Sequence, residues 1–474
     1  MRCFLVLILF TTVNGFAQAR RISPNTPAPT IAAADETANL TVKEMFDDAN
    51  TYAKRKFAEF ESKKIPYNDN LFKRTIREQK QLAAKYAAIA ATRQTLVGDD
   101  IYYVGMLNWL AENLDNASEA FRKFLAVAEN ATGEKAQTAR SIVIVISARR
   151  KNFDEAETLL ADYLKSEPVK LSERSRMESE LAENYRAGEN YAKAAAHAEE
   201  YYRAVKALIP DATSRARALD DLLDAGLTTF EIYRDDGKQK EAENALDDLR
   251  KTAALVGSSS IYYKAVDENI KYLITTSRKS LALKLYADAL AAAEKDFTVK
   301  PLQQDVVRRL KERERKYKIL GETAPELVAV DRWFPGNPQT LASLRGQVVL
   351  LDFWATWCGP CIDLFPSLIE WQQTFQKDGL KILGVTKYQG IAEGIPVDNA
   401  SELEYLQRFR KNQRLPYDFV VTKDDSNQIT YGALSIPTTI LIDRHGIVRY
   451  AETGTSATRE EEVRQMIEKL LAEK

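Results

Sequence analysis

The chain has 474 residues, of which 45% are hydrophobic and 28% are charged, a composition typical of folded globular domains and not of disordered chains. Its 67 Lys and Arg residues and 68 Asp and Glu residues nearly cancel, which argues against a nucleic-acid surface or a polybasic membrane anchor. The length corresponds to roughly three domains, and two histidines leave little material for a His-based metal site.

The N-terminus has the pattern of a signal peptide. Arg2 precedes an apolar run at 4–10, and a small-x-small site follows that predicts cleavage after Ala19. The run is shorter than the roughly 20 residues that span a bilayer, and a buried N-terminal strand is the alternative interpretation. Residues 1–19 are thus predicted to be removed and 20–38 to form a flexible Pro/Ala/Thr-rich tether. We expect export to the periplasm or cell envelope.

Cleavage would remove Cys3 and leave two cysteines, Cys358 and Cys361. An exported chain with one C-x-x-C pair has no disulfide framework, so its only thiols form a redox-type pair.

Composition changes near residue 320. Three prolines lie between residues 39 and 300 but eight lie between 321 and 474, and four of the five tryptophans follow residue 320. This pattern predicts a helical domain at 39–300, a linking helix at 301–320 and a turn-rich α/β domain at 321–474. The charge run at 311–318 is expected to form a solvated helix face.

The helical region carries a weak repeat. Ala156, Ala194 and Ala242 each follow a predicted helix–helix turn and open an amphipathic helix, and Ala117 marks a possible earlier copy. The pattern resembles tetratricopeptide (TPR) repeats, though its spacing is longer than that family's, so the resemblance is to α-solenoids in general. A plain helical bundle is the alternative. Only a solenoid predicts a concave surface that binds a protein partner.

The C-terminal region has the pattern of an α/β domain in the order β-α-β-α-β-β-α. The near-continuous apolar run 348–354 predicts a central strand covered on both faces. Further strands are predicted at 380–386, 438–443 and 447–451, the last two flanking a hairpin turn. Helices are predicted at 359–377 and after apparent capping boxes that begin at Ser401 and Thr458.

Cys358 and Cys361 lie where the first of these strands meets the next helix. A structural zinc site needs four ligands and no second cysteine pair exists, so redox chemistry is favoured. A cysteine at a helix N-terminus has a lowered thiol pKa, which makes Cys358 the expected nucleophile. Cys361, one turn later, can attack the resulting mixed disulfide.

The segment DFWATWCGPC, residues 352–361, resembles the active site of thioredoxins. The stretches 321–327 and 341–346 resemble the extension of redoxins, which are related to the AhpC/TSA proteins, and 387–400 resembles the insertion of TlpA-type thiol–disulfide oxidoreductases. The resemblance covers 321–474. It implies a thioredoxin fold, which has a mixed sheet with helices on both faces.

The resemblance also implies roles for other residues. Asp352 matches the buried carboxylate that moves a proton to the resolving cysteine, and Ile436–Pro437 match the cis-proline loop that pairs with an extended substrate. Trp357 would cover the cysteine pair, with Gly359 and Pro360 shaping the turn. The alternatives are a strand-end polar residue for Asp352, a strand-start proline for Pro437 and a core aromatic for Trp357.

The chain differs from related families at two places, and each difference argues against one kind of chemistry. Several TlpA-type reductases carry a glutamate where this chain has Leu364, which argues against specialised cytochrome-maturation chemistry. Peroxiredoxins carry a threonine and a proline where this chain has Ala355 and Leu351, so a peroxidase is disfavoured. His197 and His445 are expected to be surface residues.

We therefore predict an exported thiol–disulfide oxidoreductase with no bound cofactor and no metal. The Gly-Pro pair between the cysteines resembles reducing thioredoxins, which favours a disulfide reductase supplied by a membrane thiol-electron donor. Its substrates would be protein thiols and disulfides, and its helical domain would recruit protein partners. The alternative is a helical binding scaffold of the cell envelope with an accessory thioredoxin domain.

Overall fold

A computed structural model describes residues 40–93 and 95–473. The predicted signal peptide and tether lie outside these residues, so export remains a prediction. The described chain forms two compact units, the first ending at Val143 and the second beginning at Ile144. Among the described residues, no helix combines the length and the apolar character needed to cross a bilayer.

Helices make up the described chain before residue 320, apart from short connections. Their bounds are α1 Val42–Ser62, α2 Asp69–Ala91, α3 Asp99–Leu110, α4 Leu114–Leu125, α5 Gly133–Arg149, α6 Phe153–Lys165, α7 Leu171–Ala187, α8 Tyr191–Leu208, α9 Arg215–Asp235, α10 Gln239–Leu255, α11 Ser259–Thr275, α12 Lys279–Asp296 and α13 Lys300–Ile319.

The repeat alanines occupy equivalent positions. Ala117, Ala156, Ala194 and Ala242 are the fourth residues of α4, α6, α8 and α10, and all four are fully buried. Ala282 holds the same position in α12, a copy that the sequence pattern did not reveal. Two residues before each of these helices the backbone has a positive φ between 59° and 71°, at Glu112, Lys151, Glu189, Gly237 and Ser277. The chain thus repeats one helix–helix turn, while its assignment as a TPR stays a prediction.

The C-terminal region contains a six-stranded mixed sheet in the order β1-β6-β3-β2-β7-β8. β3 is parallel to β2 and β6, and the other neighbouring pairs are antiparallel. A separate hairpin, β4–β5, follows β3. The bounds are β1 Val330–Phe334, β2 Val348–Phe353, α14 Gly359–Phe375, β3 Leu380–Lys387, β4 Ile391–Ala392, β5 Ile395–Pro396, α15 Asn399–Asn412, β6 Asp418–Thr422, α16 Ser426–Tyr431, β7 Thr438–Ile442, β8 Val448–Thr453 and α17 Ala457–Ala472.

The predicted thioredoxin fold with its mixed sheet is confirmed, and the four predicted strands are β2, β3, β7 and β8. The predicted helix starts were late, because Asp398 and Ser456 are the N-caps whose side chains accept from backbone N–H groups of α15 and α17. β1 and β6 were not predicted, and they pair with each other at one side of the sheet.

The two faces of the sheet belong to different cores. Val348 and Leu350 pack in a cluster with Leu364 of α14, whereas Leu351 and Phe353 pack in a cluster that also contains Tyr317 of α13. This second cluster runs without a break through α9, α11, α12 and α13 to β8. The change in composition at residue 320 is therefore not a break in the core.

Two expectations about charged residues were wrong. The charge run of α13 is not wholly solvated, because Arg313 and Lys316 are buried against partners on α11 and β8. His197 is also buried, with Nδ1 2.6 Å from the Glu178 carboxylate. His445 lies exposed in the β7–β8 turn, as expected.

Candidate active site

The cysteine pair and the cis-proline loop lie at one edge of the sheet. β2 ends at Phe353, and the chain continues through a short turn to Cys358. β7 is antiparallel to β2 and begins at Thr438, directly opposite Phe353. Because one strand ends where its neighbour begins, the loop that carries Cys358 and the loop that carries Pro437 leave the same edge.

Cys358 and Cys361 form a disulfide in this structure. Cys358 is the N-cap of α14, and its Sγ atom accepts a hydrogen bond from the Cys361 N–H at 3.2 Å. Cys358 retains 5% exposure while Cys361 has none, and Gly359 and Pro360 between them are exposed. The helix N-terminus therefore faces the outer sulfur, where it would stabilise a thiolate.

Asp352 lies in β2 beneath this turn. Its side chain is fully buried, and neither carboxylate oxygen has a hydrogen-bond partner among the described residues. Strand alternation puts it on the face of Leu350 and Trp354, whose cluster includes both cysteines. Desolvation raises the pKa of Asp352 to about 7. The carboxyl group can therefore gain or lose a proton near neutral pH.

Trp357 is 64% exposed beside the cysteines, so the interpretation of it as a core aromatic was wrong. Its indole N–H donates to Gln389 Oε1 at 3.3 Å. The backbone N–H groups of Gln389 and Gly390 in turn each donate to the Glu402 carboxylate at 2.8 Å. Glu402, buried in α15, thus ties the insertion after β3 to the tryptophan.

Glu402 directly follows Ser401, where a capping box was predicted. Nothing in its local pattern indicated that it binds backbone groups of a preceding loop. Where several TlpA-type reductases carry a glutamate, this chain has Leu364, which is buried. The adjacent Asp363 is exposed to solvent.

The Ile436–Pro437 peptide bond is cis. The Ser435 carbonyl accepts from the Thr438 hydroxyl at 2.6 Å, and the Pro437 carbonyl accepts from the Gly454 N–H at 2.8 Å. Ile436 lies between these two anchored carbonyls and packs against the cluster that contains the cysteines. The loop therefore presents Ile436 from a held backbone.

Exposed apolar side chains border this edge. Trp357 and Leu434 are 64% and 65% exposed, and Ile391 and Ile395 of the β4–β5 hairpin are also exposed. Such a rim favours contact with apolar segments of another polypeptide. Within residues 40–93 and 95–473, no group of His, Cys, Asp or Glu side chains is arranged to hold a metal ion.

A disulfide at the start of the helix after a central strand, a buried carboxyl group and a neighbouring cis-proline loop define a thioredoxin-fold thiol–disulfide oxidoreductase. An AhpC/TSA family model matches residues 320–451. The thiol-disulfide oxidoreductase ResA of Geobacillus thermodenitrificans is 33% identical over 151 residues, which are 32% of this chain and 78% of that protein.

Two further matches cover a similar share of the chain. The thioredoxin-like protein YneN of Bacillus subtilis is 27% identical over 30% of this chain and 76% of its own length. A crystal structure of a thiol:disulfide interchange protein from Chlorobium tepidum is 23% identical over 32% of this chain and 96% of its own, with a TM-score of 0.26. On the extent and identity of the ResA match, the chain belongs to the family of ResA-like thiol–disulfide oxidoreductases.

Proposed function

We propose that this chain is an exported disulfide reductase of the cell envelope that acts on other proteins. Cys358 is the nucleophile, Cys361 resolves the mixed disulfide and Asp352 exchanges the proton of Cys361. Trp357 and the Ile436–Pro437 loop hold the substrate backbone.

The reaction starts from the dithiol form. The Cys358 thiolate attacks one sulfur of a substrate disulfide, which forms a mixed disulfide and releases the other substrate sulfur as a thiolate. Cys361 loses its proton to ionised Asp352 and attacks Cys358, which releases the second substrate thiol. Two electrons pass to the substrate, and the Cys358–Cys361 disulfide forms. A thiol donor must reduce this disulfide again, and we propose a membrane thiol carrier.

The observation that carries the proposal is the difference in access between the two sulfurs. Of the pair, only Cys358 has exposed surface, at the N-terminus of α14, whereas Cys361 is fully buried on the face of the sheet that Asp352 shares. A substrate can therefore reach Cys358 but not Cys361. This is the asymmetry that a nucleophile and a resolving cysteine require.

Insulin reduction with dithiothreitol as electron donor tests the proposal. Cys358→Ser should reduce the rate to the level without enzyme, because the remaining sulfur of the pair is buried and cannot attack. Cys361→Ser should still attack but accumulate a mixed disulfide that non-reducing electrophoresis detects. Full activity of Cys358→Ser would overturn the mechanism.

The direction of electron flow is tested by the reduction potential of the pair. A reductase should lie near the thioredoxin value of about −270 mV, and a value near the roughly −120 mV of the oxidant DsbA would overturn the assignment.

A binding scaffold is the second candidate, and the turn repeated before five helices favours it. The helical region would then recruit a protein partner, and exchange at Cys358 would be accessory. The full chain carrying Cys358→Ser and Cys361→Ser separates the two functions. A scaffold should restore the phenotype of a deletion strain without its cysteines, whereas a reductase should not.

A further inference from the structure

A buried ionic cluster joins the helical region to the thioredoxin fold. The Arg313 guanidinium of α13 makes two hydrogen bonds of 2.7 Å to the Glu452 carboxylate of β8. It also donates to Asp267 of α11 at 3.1 Å. All three residues are less than 10% exposed. Burial alone would raise the pKa of Glu452, but Arg313 and Lys271 hold it at about 2.

Lys316, one turn further along α13, is 3% exposed and points to the strand residue after Glu452. Its ammonium group donates to the Thr453 hydroxyl. Burial and the nearby Arg313 lower the pKa of Lys316 to about 8. The amine is therefore mostly protonated at neutral pH and can act only as a donor.

The hydrogen bonds from Lys316 continue in one direction to the cis-proline loop. The Thr453 and Thr438 hydroxyl oxygens are 2.7 Å apart, and the Thr438 hydroxyl donates to the Ser435 carbonyl at 2.6 Å. A hydroxyl has one proton, so Thr438 must accept from Thr453. Thr453 in turn accepts from Lys316. Each hydrogen bond in this series has a donor and an acceptor, and the last acceptor is the Ser435 carbonyl, next to Ile436.

The same helix also contacts the segment that leads into the loop. The Arg315 guanidinium donates to the Ile429 carbonyl at 2.8 Å. A Cβ atom at Gly432, where φ is +66°, would lie 3.1 Å from Lys316 Cγ and 3.2 Å from Arg315 Cβ. The backbone three residues before Ser435 therefore lies directly on α13.

We propose that Lys316, which lies before the thioredoxin fold in the chain, is a positioning residue for the cis-proline loop and thereby for protein substrates. This inference rests on the proposed role of Ile436 in binding the substrate backbone. Lys316 does not touch the cysteines. It acts through Thr453 and Thr438, which set the orientation of the Ser435 carbonyl. Helix α13 would thus support the substrate site indirectly, through these two hydroxyl groups.

The test compares Lys316→Met with Thr453→Val in the full chain. The first removes the ammonium donor and the second removes the next link at nearly constant volume. Lys318→Met is the control, because it makes the same change at an exposed position of the same helix. The loss of one positioning hydrogen bond should raise the KM for insulin about fivefold. The double variant should show the effect of one change and not the product of two.

Three readouts separate positioning from a general loss of stability. The reduction potential of the cysteine pair and the rate with an aromatic small-molecule disulfide should stay unchanged, because neither requires the loop to pair with a substrate backbone. Deuterium uptake of the peptide 433–438 should rise in both variants and not in Lys318→Met. An unchanged KM with unchanged uptake would overturn the proposal, as would an equal loss of activity toward both substrates.

The two proposals fail in different ways. If the wild-type chain does not reduce insulin, the proposed reductase function fails, while uptake at 433–438 still decides whether Lys316 orders the loop. If wild-type activity is normal and Lys316→Met matches it in KM and uptake, only the positioning role fails.

Discussion

Replacing Asp352 with asparagine should stabilise the oxidised protein at pH 8 while slowing thiol–disulfide exchange. The asparagine side chain has nearly the shape of the protonated aspartic acid and cannot ionise. The buried carboxyl group has no hydrogen-bond partner among the described residues, so its ionised form carries a desolvation cost in the folded state. The asparagine variant avoids this cost.

The size of the effect follows from the pKa of Asp352, which burial raises from 3.8 to about 7. Below pH 3.8 the group is protonated in both the folded and unfolded states, and the carboxyl adds no ionisation cost. Between pH 3.8 and about 7 the unfolded chain ionises first, so wild-type stability falls as pH rises. At 1.36 kcal/mol per pKa unit, the cost is about 1.5 kcal/mol at pH 5 and about 4 kcal/mol above pH 7.

Denaturant unfolding monitored by tryptophan fluorescence measures this difference. In a Trp109→Phe background the remaining four tryptophans all follow residue 320, so the signal reports on the thioredoxin fold. Asp363→Asn is the matched control, because it removes an exposed carboxylate from α14. The stability advantage of Asp352→Asn should grow by about 2.5 kcal/mol between pH 5 and pH 8.

A stability difference that is the same at both pH values would refute the raised pKa of Asp352. The same variant should lower the insulin reduction rate at pH 7 at least about 100-fold if Asp352 acts as the acid–base group, the lower range for such groups. If Asp352→Asn gains stability with rising pH but keeps wild-type activity, the carboxyl group has a raised pKa but takes no part in the mechanism.

Two further predictions concern the helical region. Arg313→Met should destabilise the second compact unit by about 3–5 kcal/mol, because it removes the guanidinium that hydrogen-bonds to two buried carboxylates. Arg308→Met on the same helix breaks exposed ion pairs and should cost less than about 1 kcal/mol in the same urea titration. Ala282→Leu should lower stability by about 1–3 kcal/mol by overpacking the start of α12. Ala287→Leu, at an exposed position of that helix, should be nearly neutral, and equal effects would contradict the repeat assignment.

The Arg313 contacts also change how the chain can be divided for experiments. A fragment that begins at residue 321 would keep Glu452 but lose Arg313, Lys271 and Asp267. It would also expose the sheet face that packs on α13. Activity should therefore be compared in full-length variants.

Local patterns in the sequence were sufficient for four of the six strands of the sheet and for the redox pair. The near-continuous apolar run 348–354 predicted β2 because a central strand is covered on both faces, and Cys358 and Cys361 lie three apart at the next helix start. The repeat alanines were visible as well, apart from Ala282. Their contacts are with adjacent helices, so the pattern recurs within about 50 residues along the chain.

The surroundings of the site depend on pairs that are distant in sequence. Arg313 and Glu452 are 139 residues apart, and Lys316 and Thr453 are 137 apart. A charged residue in a helix has the same local pattern whether it meets water or a buried acid, so the charge run 311–318 was predicted to be solvated. Only the fold brings α13 onto β8.

The sequence by itself determined the cysteine pair, because Cys358 and Cys361 lie three residues apart at the start of a predicted helix. The tertiary structure decided what faces that pair and what supports it. The burial of Asp352, the anchoring of Trp357 through Glu402 and the support of the cis-proline loop by Lys316 all arise from packing between separate elements. Desolvation and hydrogen bonding depend on these neighbours in space, which the local sequence does not specify.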